Sequence, residues 1–200
     1  DLSPNDRIFE ERISEGANTT ISTNLDYELN ANSSARLNAL FSDGDRPGDV
    51  IRRTTDLTTQ PNIASYQRES APSENDNWEI GGDYEYNTDS GSRYKVLFIS
   101  NEFTNSTTRE RFDLVTGGKE DKNLFLDSGS TTRERIVRGS YTFDIFSGAQ
   151  DLEIGAERAQ TILDSKLALG VINPLGTPSE AAGGLVPVSL DNANSEVEEI

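Results

Sequence analysis

The sequence of 200 residues contains no Cys, no His, no Met and a single Trp. Without Cys there is no disulfide, no thiolate nucleophile and no Cys-type zinc site. Without His the commonest general base, the usual catalytic triads and His-type zinc sites are missing. Positive charge is also scarce: 18 Lys plus Arg stand against 35 Asp plus Glu, a formal net charge of −17. Phosphate binding needs clustered Lys and Arg to release counterions, so no nucleic-acid partner is expected. The longest wholly aliphatic or aromatic run is Val96 to Ile99, far short of the roughly 20 residues of a spanning helix. The chain begins at Asp1 with no initiator Met and no signal peptide, which suggests a processed or excised piece. Apolar residues make up only 33 %, little for a soluble core.

What is present is a period of two. From Ile21 the odd positions read Ile21, Thr23, Leu25, Tyr27, Leu29, and the even ones Ser22, Asn24, Asp26, Glu28, Asn30, the pattern of a strand with one apolar face. After turn residues Asn30 to Ser34, a return strand carries Ala35, Leu37, Ala39 and Phe41. Setting Tyr27 opposite Leu37, Leu25 opposite Ala39 and Glu28 opposite Arg36 satisfies both faces of one hairpin. The same device recurs at Trp78 to Tyr86, a turn at Thr88 to Ser92, and Tyr94 to Phe98. There Tyr86 falls on Tyr94, Tyr84 on Val96 and Glu85 on Lys95. A third hairpin runs from Val137 to Ile145, turns at Ser147 to Gln150 and returns through Leu152, Ile154 and Ala156. It pairs Ile145 with Leu152 and Phe143 with Ile154, and opposes Asp144 to Glu153. Asp151 to Leu169 also shows helical spacing at Leu152, Ala156, Ala159, Leu163 and Leu167, but Gly155 and the pairing with Tyr141 to Ile145 favour a strand.

The hairpins therefore span about 19–42, 78–100 and 135–169. Between them lie polar stretches, 43–77, 101–132 and 170–194, rich in Asp, Asn, Ser, Thr, Gly and Pro, which read as long loops. Loops of that length are uncommon in a compact soluble domain. Short turns on one rim and long loops on the other are the pattern of a transmembrane β-barrel. Tyr27, Tyr84, Tyr86, Tyr94, Tyr141 and Phe143 lie close to the short turns on the apolar face, where an interfacial girdle would sit. The fold class expected is all-β, an antiparallel up-and-down meander of long strands forming part of a barrel wall. Six strands are clear, and Ser195 to Ile200 begins a seventh. Eight are the minimum for closure.

Candidate chemistry is sparse. Glu79, Asp83 and Glu85 share a polar face and are a paired-carboxylate candidate for work on a sugar, but they read as a solvated strand face partly balanced by Arg93 and Lys95. Asp164, Ser165 and Lys166 are adjacent, so on a strand the Ser and Lys point to opposite faces and no Ser–Lys nucleophile forms. Asp43, Asp45 and Asp49 have the composition of a calcium loop, yet lack EF-hand spacing and its terminal Glu, and Arg46 sits among them; they read as a plain acidic turn. Gly117-Gly118-Lys119 lacks the spacing of a phosphate loop. Asn18, Asn32 and Asn105 each open an N-x-Ser/Thr sequon. No catalytic, metal or cofactor residue is assigned.

Asn77 to Ile99 (NWEIGGDYEYNTDSGSRYKVLFI) and Arg135 to Gly170 (RIVRGSYTFDIFSGAQDLEIGAERAQTILDSKLALG), with Thr19 to Phe41, resemble the barrel domain of a TonB-dependent outer-membrane receptor of a Gram-negative bacterium. The resemblance covers most of residues 7 to 170 and is one of pattern. The family's plug domain and energy-coupling box are not found in these residues. It implies an internal piece of a longer chain in the bacterial outer membrane, in contact with lipid, with no catalysis. Uptake of a scarce small-molecule or glycan substrate, such as an iron chelate, cobalamin or a glycan, would be driven by a periplasmic energy-coupling protein acting through the absent plug. Substrate contacts would lie in 43–77, 101–132 and 170–194. A secreted or surface-attached all-β adhesin or glycan-binding sandwich is the alternative. A glycan-active enzyme built around Glu79 to Glu85 is a third reading.

Overall fold

The computed structural model describes residues 4–115, 117–145 and 150–200. They form one antiparallel sheet of ten strands: β1 (Asp6–Ser14), β2 (Ala17–Asn30), β3 (Ser33–Arg46), β4 (Gly48–Asp56), β5 (Ile63–Ser70), β6 (Ser73–Asn87), β7 (Arg93–Val115), β8 (Lys119–Ile145), β9 (Gln150–Val171) and β10 (Val186–Glu199). The ten strands are seven longer runs. β1 and β2 continue each other across Glu15-Gly16, β3 and β4 across Pro47, and β5 and β6 across Ala71-Pro72, with the ladder register unchanged through each break. Proline has no N–H to give the ladder. Neighbouring backbone bridges two of the gaps, Ala71 N–H donating to Gly48 O at 2.6 Å and Thr108 N–H to Pro72 O at 3.2 Å. Each run pairs with the next in chain order, an up-and-down meander whose two outer edges, β1–β2 and β10, have no partner among the described residues.

The second hairpin has the register read from its sequence, with Tyr86 on Tyr94, Tyr84 on Val96 and Glu85 on Lys95. The other two slip by two residues. In the first, Tyr27 meets Ala35, Leu25 meets Leu37 and Asp26 meets Arg36, because the chain turns at Ala31-Asn32 in place of a longer turn. In the third, Phe143 meets Leu152, Tyr141 meets Ile154 and Asp144 meets Asp151. A slip of two leaves every side chain on its original face, so alternation alone is blind to it. Its turn, read at Ser147 to Gln150, lies outside the described residues except for Gln150. Asp151 to Leu169 is strand throughout, within β9.

The stretches read as long loops are mostly strand. Residues 43–77 hold the end of β3, all of β4 and β5 and the start of β6; 101–132 are the distal parts of β7 and β8 around a tight turn; 170–194 is a loop only at 172–185 before β10 begins. These strands carry polar residues on both faces, so no apolar period marks them, while the ladder needs only backbone partners.

Almost nothing is buried. Among the described residues, Val50 and Ala182 are the only buried apolar side chains, and the accessible surface is 13788 Å². A globular protein of 21.9 kDa would expose roughly 9,300 Å². Among the described residues, Ala182 belongs to the one place where the chain folds over the sheet. A 3-10 turn at Glu180–Ala182 ends in Gly183 at φ 65°; a Cβ on Gly183 would lie 2.4 Å from the Phe125 ring, and one on Gly170 2.4 Å from Ala182 O.

Candidate functional site

Alternation divides the sheet into two faces. One carries Tyr27, Tyr84, Tyr94 and Tyr141 and is called the tyrosine face; the other carries Asn18, Asn75 and Asn105 and is called the asparagine face. Two glycines fix the assignment. A Cβ built on Gly82 meets the Phe98 ring at 3.1 Å, and one built on Gly44 meets the Asn75 side-chain amide at 2.6 Å and Asn18 Oδ1 at 3.6 Å.

On the tyrosine face, next to the short turns, Tyr86, Tyr94, Tyr141 and Phe143 form a stacked row with successive centroid distances of 6.5, 4.5 and 5.2 Å. Eight residues farther along β6 stands Trp78, opposite Phe41 of β3. Between these two aromatic levels the face is Leu25, Leu37, Ile80, Val96 and their neighbours. Among the described residues nothing packs on it: Ile21 is 65 % exposed, Tyr27 68 % and Val137 57 %. Eight residues at the strand rise cover about 27 Å along the strand, close to the height of an outer-membrane apolar band once strand tilt and ring size are included.

The upper edge of this band is oblique to the hydrogen-bonded rows. On β2, β3 and β6 it ends at Ile21, Phe41 and Trp78. The same row continues through Glu102 of β7 and Arg133 of β8, so on β7, β8 and β9 the band stops earlier, at Phe98, Val137 and Ala156. Arg133 bonds both Glu102 Oε2 and Asp164 Oδ2 at 2.7 Å. The edge is level over β2, β3 and β6 and lower, in two steps, over β7–β8 and β9, the sense of displacement that tilted barrel strands crossing a flat boundary require.

The asparagine face has another order. Asn18, Gly44, Asn75, Asn105, Ser130 and Ser165 occupy one row of pairing positions from β2 to β9, and Thr20, Ser42, Asn77, Phe103, Thr132 and Leu163 the next. None is charged, although at 26 % charged residues about three of twelve positions would be, on composition alone. At the same height the tyrosine face carries Asp43, Asp45, Glu74, Asp76, Asp164 and Lys166. The neutral belt is laced by its own side chains: Ser42 Oγ donates to Asn18 Oδ1 at 3.2 Å, Thr20 and Ser42 hydroxyls lie 3.1 Å apart, and Ser130 Oγ donates to Asn105 Oδ1 at 3.3 Å. Within it lies a concavity of about 610 Å³ bordered by Asn18, Ser42, Gly44, Asn75, Asn77 and Phe103, in the size range of small-molecule sites.

Below the belt the asparagine face is mixed: the row Asn24, Asn38, Gly81, Ile99, Ile136 and Ala159 is uncharged, and the row Asp26, Arg36, Asp83, Leu97, Arg138 and Glu157 is ionic. Asp83 is held by Arg36, with Arg36 Nη2 3.0 Å from its Oδ2, rather than by Arg93 or Lys95, and Glu85 lies opposite Lys95. Glu79, Asp83 and Glu85 are thus spread along β6 and one is ion-paired. Ser165 faces away from Asp164 and Lys166, and Lys166 Nζ bonds Asp127 Oδ2 at 3.1 Å. Asp43 and Asp45 are strand residues of β3 and Asp49 of β4, not an acidic turn; among the described residues no three Asp or Glu are grouped to hold a metal ion. Gly117 and Gly118, at φ 89° and 77°, form the β7–β8 turn.

At the distal end, Arg68 lies 4.6 Å from the Phe112 ring centroid and bonds Glu120 Oε2 at 2.7 Å. The Arg68 guanidinium holds the Glu120 carboxyl below its usual range. Arg52 and Arg12 do the same for Glu10, and the Thr58 hydroxyl and N–H for Asp56.

The segments expected to meet substrate supply Gly44, Asn75, Asn77, Phe103, Asn105, Ser130 and Thr132 of the belt, but as strand residues. The signal in the sequence is a period of two in Asn, Ser and Thr, as in Asn18, Thr20, Ser22, Asn24, of which the belt members Asn18 and Thr20 precede the apolar alternation that begins at Ile21. No protein-family model matches the chain, and no curated protein matches it.

Proposed function

We propose that this chain forms part of the wall of a bacterial outer-membrane β-barrel, in a TonB-dependent receptor that takes up a scarce small-molecule or glycan substrate. The observation that carries the reading is the unpacked apolar band of the tyrosine face, framed by aromatics at both edges, behind which lies a mostly polar face interrupted by Leu40, Leu97, Ile99 and Ile136. Water on one side and hydrocarbon on the other accounts for both faces, and for an exposed surface well above that of a globular protein. The charged residues above the band lie where strands project into water. The narrower assignment to a TonB-dependent receptor rests on the resemblance of Asn77 to Ile99 and Arg135 to Gly170. A soluble adhesin or glycan-binding sandwich needs a second sheet over the tyrosine face, and the described residues form one sheet.

The protein expressed in a Gram-negative host is expected in the outer-membrane fraction, extractable only with detergent and migrating faster on gels when unheated than when boiled. Recovery as a monodisperse soluble protein that unfolds cooperatively without detergent would overturn the membrane reading. Substrate uptake that persists when the periplasmic energy-coupling protein is deleted would overturn the receptor reading alone.

A further inference from the structure

The neutral belt discriminates among substrates. A ferric chelate built on carboxylates or catecholates carries negative charge and calls for Arg or Lys; the two rows from Asn18 to Ser165 and from Thr20 to Leu163 hold neither. Cobalamin presents a wide corrin face that calls for more apolar surface than one Phe and one Leu provide. What the belt offers is a dense array of groups that both donate and accept, the amides of Asn18, Asn75, Asn77 and Asn105 and the hydroxyls between them. Phe103, 41 % exposed, stands among them, opposite Asn77 in the ladder. A pyranose has these needs: hydroxyls around its edge that donate and accept, and C–H groups on its faces that sit on an aromatic ring. Of the two charged residues that border the concavity, Asp45 belongs to the tyrosine face and Arg46, one row beyond Gly44, to the asparagine face, so the rim carries one cation beside an otherwise uncharged belt.

We infer that the asparagine face between Asn18 and Asn105 is a binding surface for a neutral oligosaccharide, with Phe103 as the stacking platform and Asn75 and Asn77 as the hydrogen-bonding groups. The inference rests on the proposed barrel in taking this face to be the water-filled side, and it selects the glycan from the substrates that reading allows. The belt crosses six consecutive runs, so the surface suits a chain of sugar units lying across the strands rather than a single ring.

The test is calorimetric titration of the detergent-solubilised protein with maltotetraose, xylotetraose and cellotetraose as neutral probes, and with ferric citrate and cyanocobalamin as the competing classes. At least one neutral oligosaccharide is expected to bind. Phe103→Ala and Asn77→Asp should each weaken it by about tenfold or more, while Asp76→Asn, between the belt residues of β6 but on the opposite face, should leave it unchanged. Asn77→Asp preserves side-chain shape, and gel migration of the unheated protein checks that each variant is folded. Binding of ferric citrate or cyanocobalamin alone, binding of no oligosaccharide, or binding untouched by both Phe103→Ala and Asn77→Asp would each overturn the inference and leave the barrel standing. Oligosaccharide binding by a protein found outside the outer membrane would overturn the barrel and leave the belt as the site.

Discussion

At Gly82 the tyrosine face has room for a hydrogen and little else. A Cβ there would lie 2.6 Å from the Arg36 carbonyl oxygen and 3.1 Å from the Phe98 ring, so the neighbouring backbone would have to move. Gly82→Ala is expected to destabilise the folded protein by about 1–3 kcal/mol, measured by denaturant titration in detergent, whereas Gly139→Ala, with nothing within 4 Å of the added carbon, should be close to neutral. Charge at single residues gives a second prediction. Arg68 holds the Glu120 carboxyl below its ordinary value of 4.5, so the pair's contribution is complete above that value and is lost as pH falls through the lower folded value. Hydrogen exchange of the amides from Lys119 to Lys122, corrected for intrinsic rate, should show constant protection from neutral pH to the ordinary carboxylate range and lose it only below. In Glu120→Gln the acid-side step should vanish.

Strand by strand, β7 and β8 are the most committed elements. β7 is bonded by β6 and β5 along one edge and by β8 along the other, and β8 by β7 and β9, whereas β1–β2 and β10 are each bonded along one edge among the described residues. Amides of β7 and β8 in the middle of the sheet should therefore exchange most slowly, and those of β1 and the end of β10 fastest, in an amide-exchange map of the protein in detergent. Elements were unequally legible. The second hairpin could be read to the residue because Tyr86 meets Tyr94 directly across a turn in which Thr88 N–H donates to Ser92 O. The first and third hairpins could be read for face but not register, since a two-residue slip costs the apolar pattern nothing and turn geometry alone distinguishes the alternatives. β4, β5 and the distal parts of β7 and β8 were illegible as strands because polar side chains cover both of their faces.

For the molecule as a whole, the two faces should respond differently to the same charge. Leu37, midway between the Tyr86 and Trp78 levels of the tyrosine face, and Asn38, its neighbour on the asparagine face, make a matched pair. Leu37→Arg is expected to cost about 2–4 kcal/mol in lipid vesicles, as for Arg at the middle of a bilayer, and Asn38→Arg close to nothing. Equal effects in reversible urea unfolding would show that no hydrocarbon covers the tyrosine face. In detergent, which follows the shape of the sheet less closely, the gap should narrow.

The sequence alone determined that the chain is all-β, that its hairpins have one apolar and one polar face, and that catalysis by Cys or His is impossible, because alternation and composition are local properties that need no partner to be read. It also located the aromatics near the short turns. Tertiary structure alone decided that the polar stretches are strand rather than loop, that Asp83 belongs to Arg36, and that twelve uncharged residues from six separate runs line up behind an opposite face on which Asp43, Asp45, Glu74, Asp76, Asp164 and Lys166 are charged. Those facts depend on register. Register is set by turn geometry and by hydrogen bonds between segments far apart in sequence, and a period of two carries no record of which residue lies across the ladder.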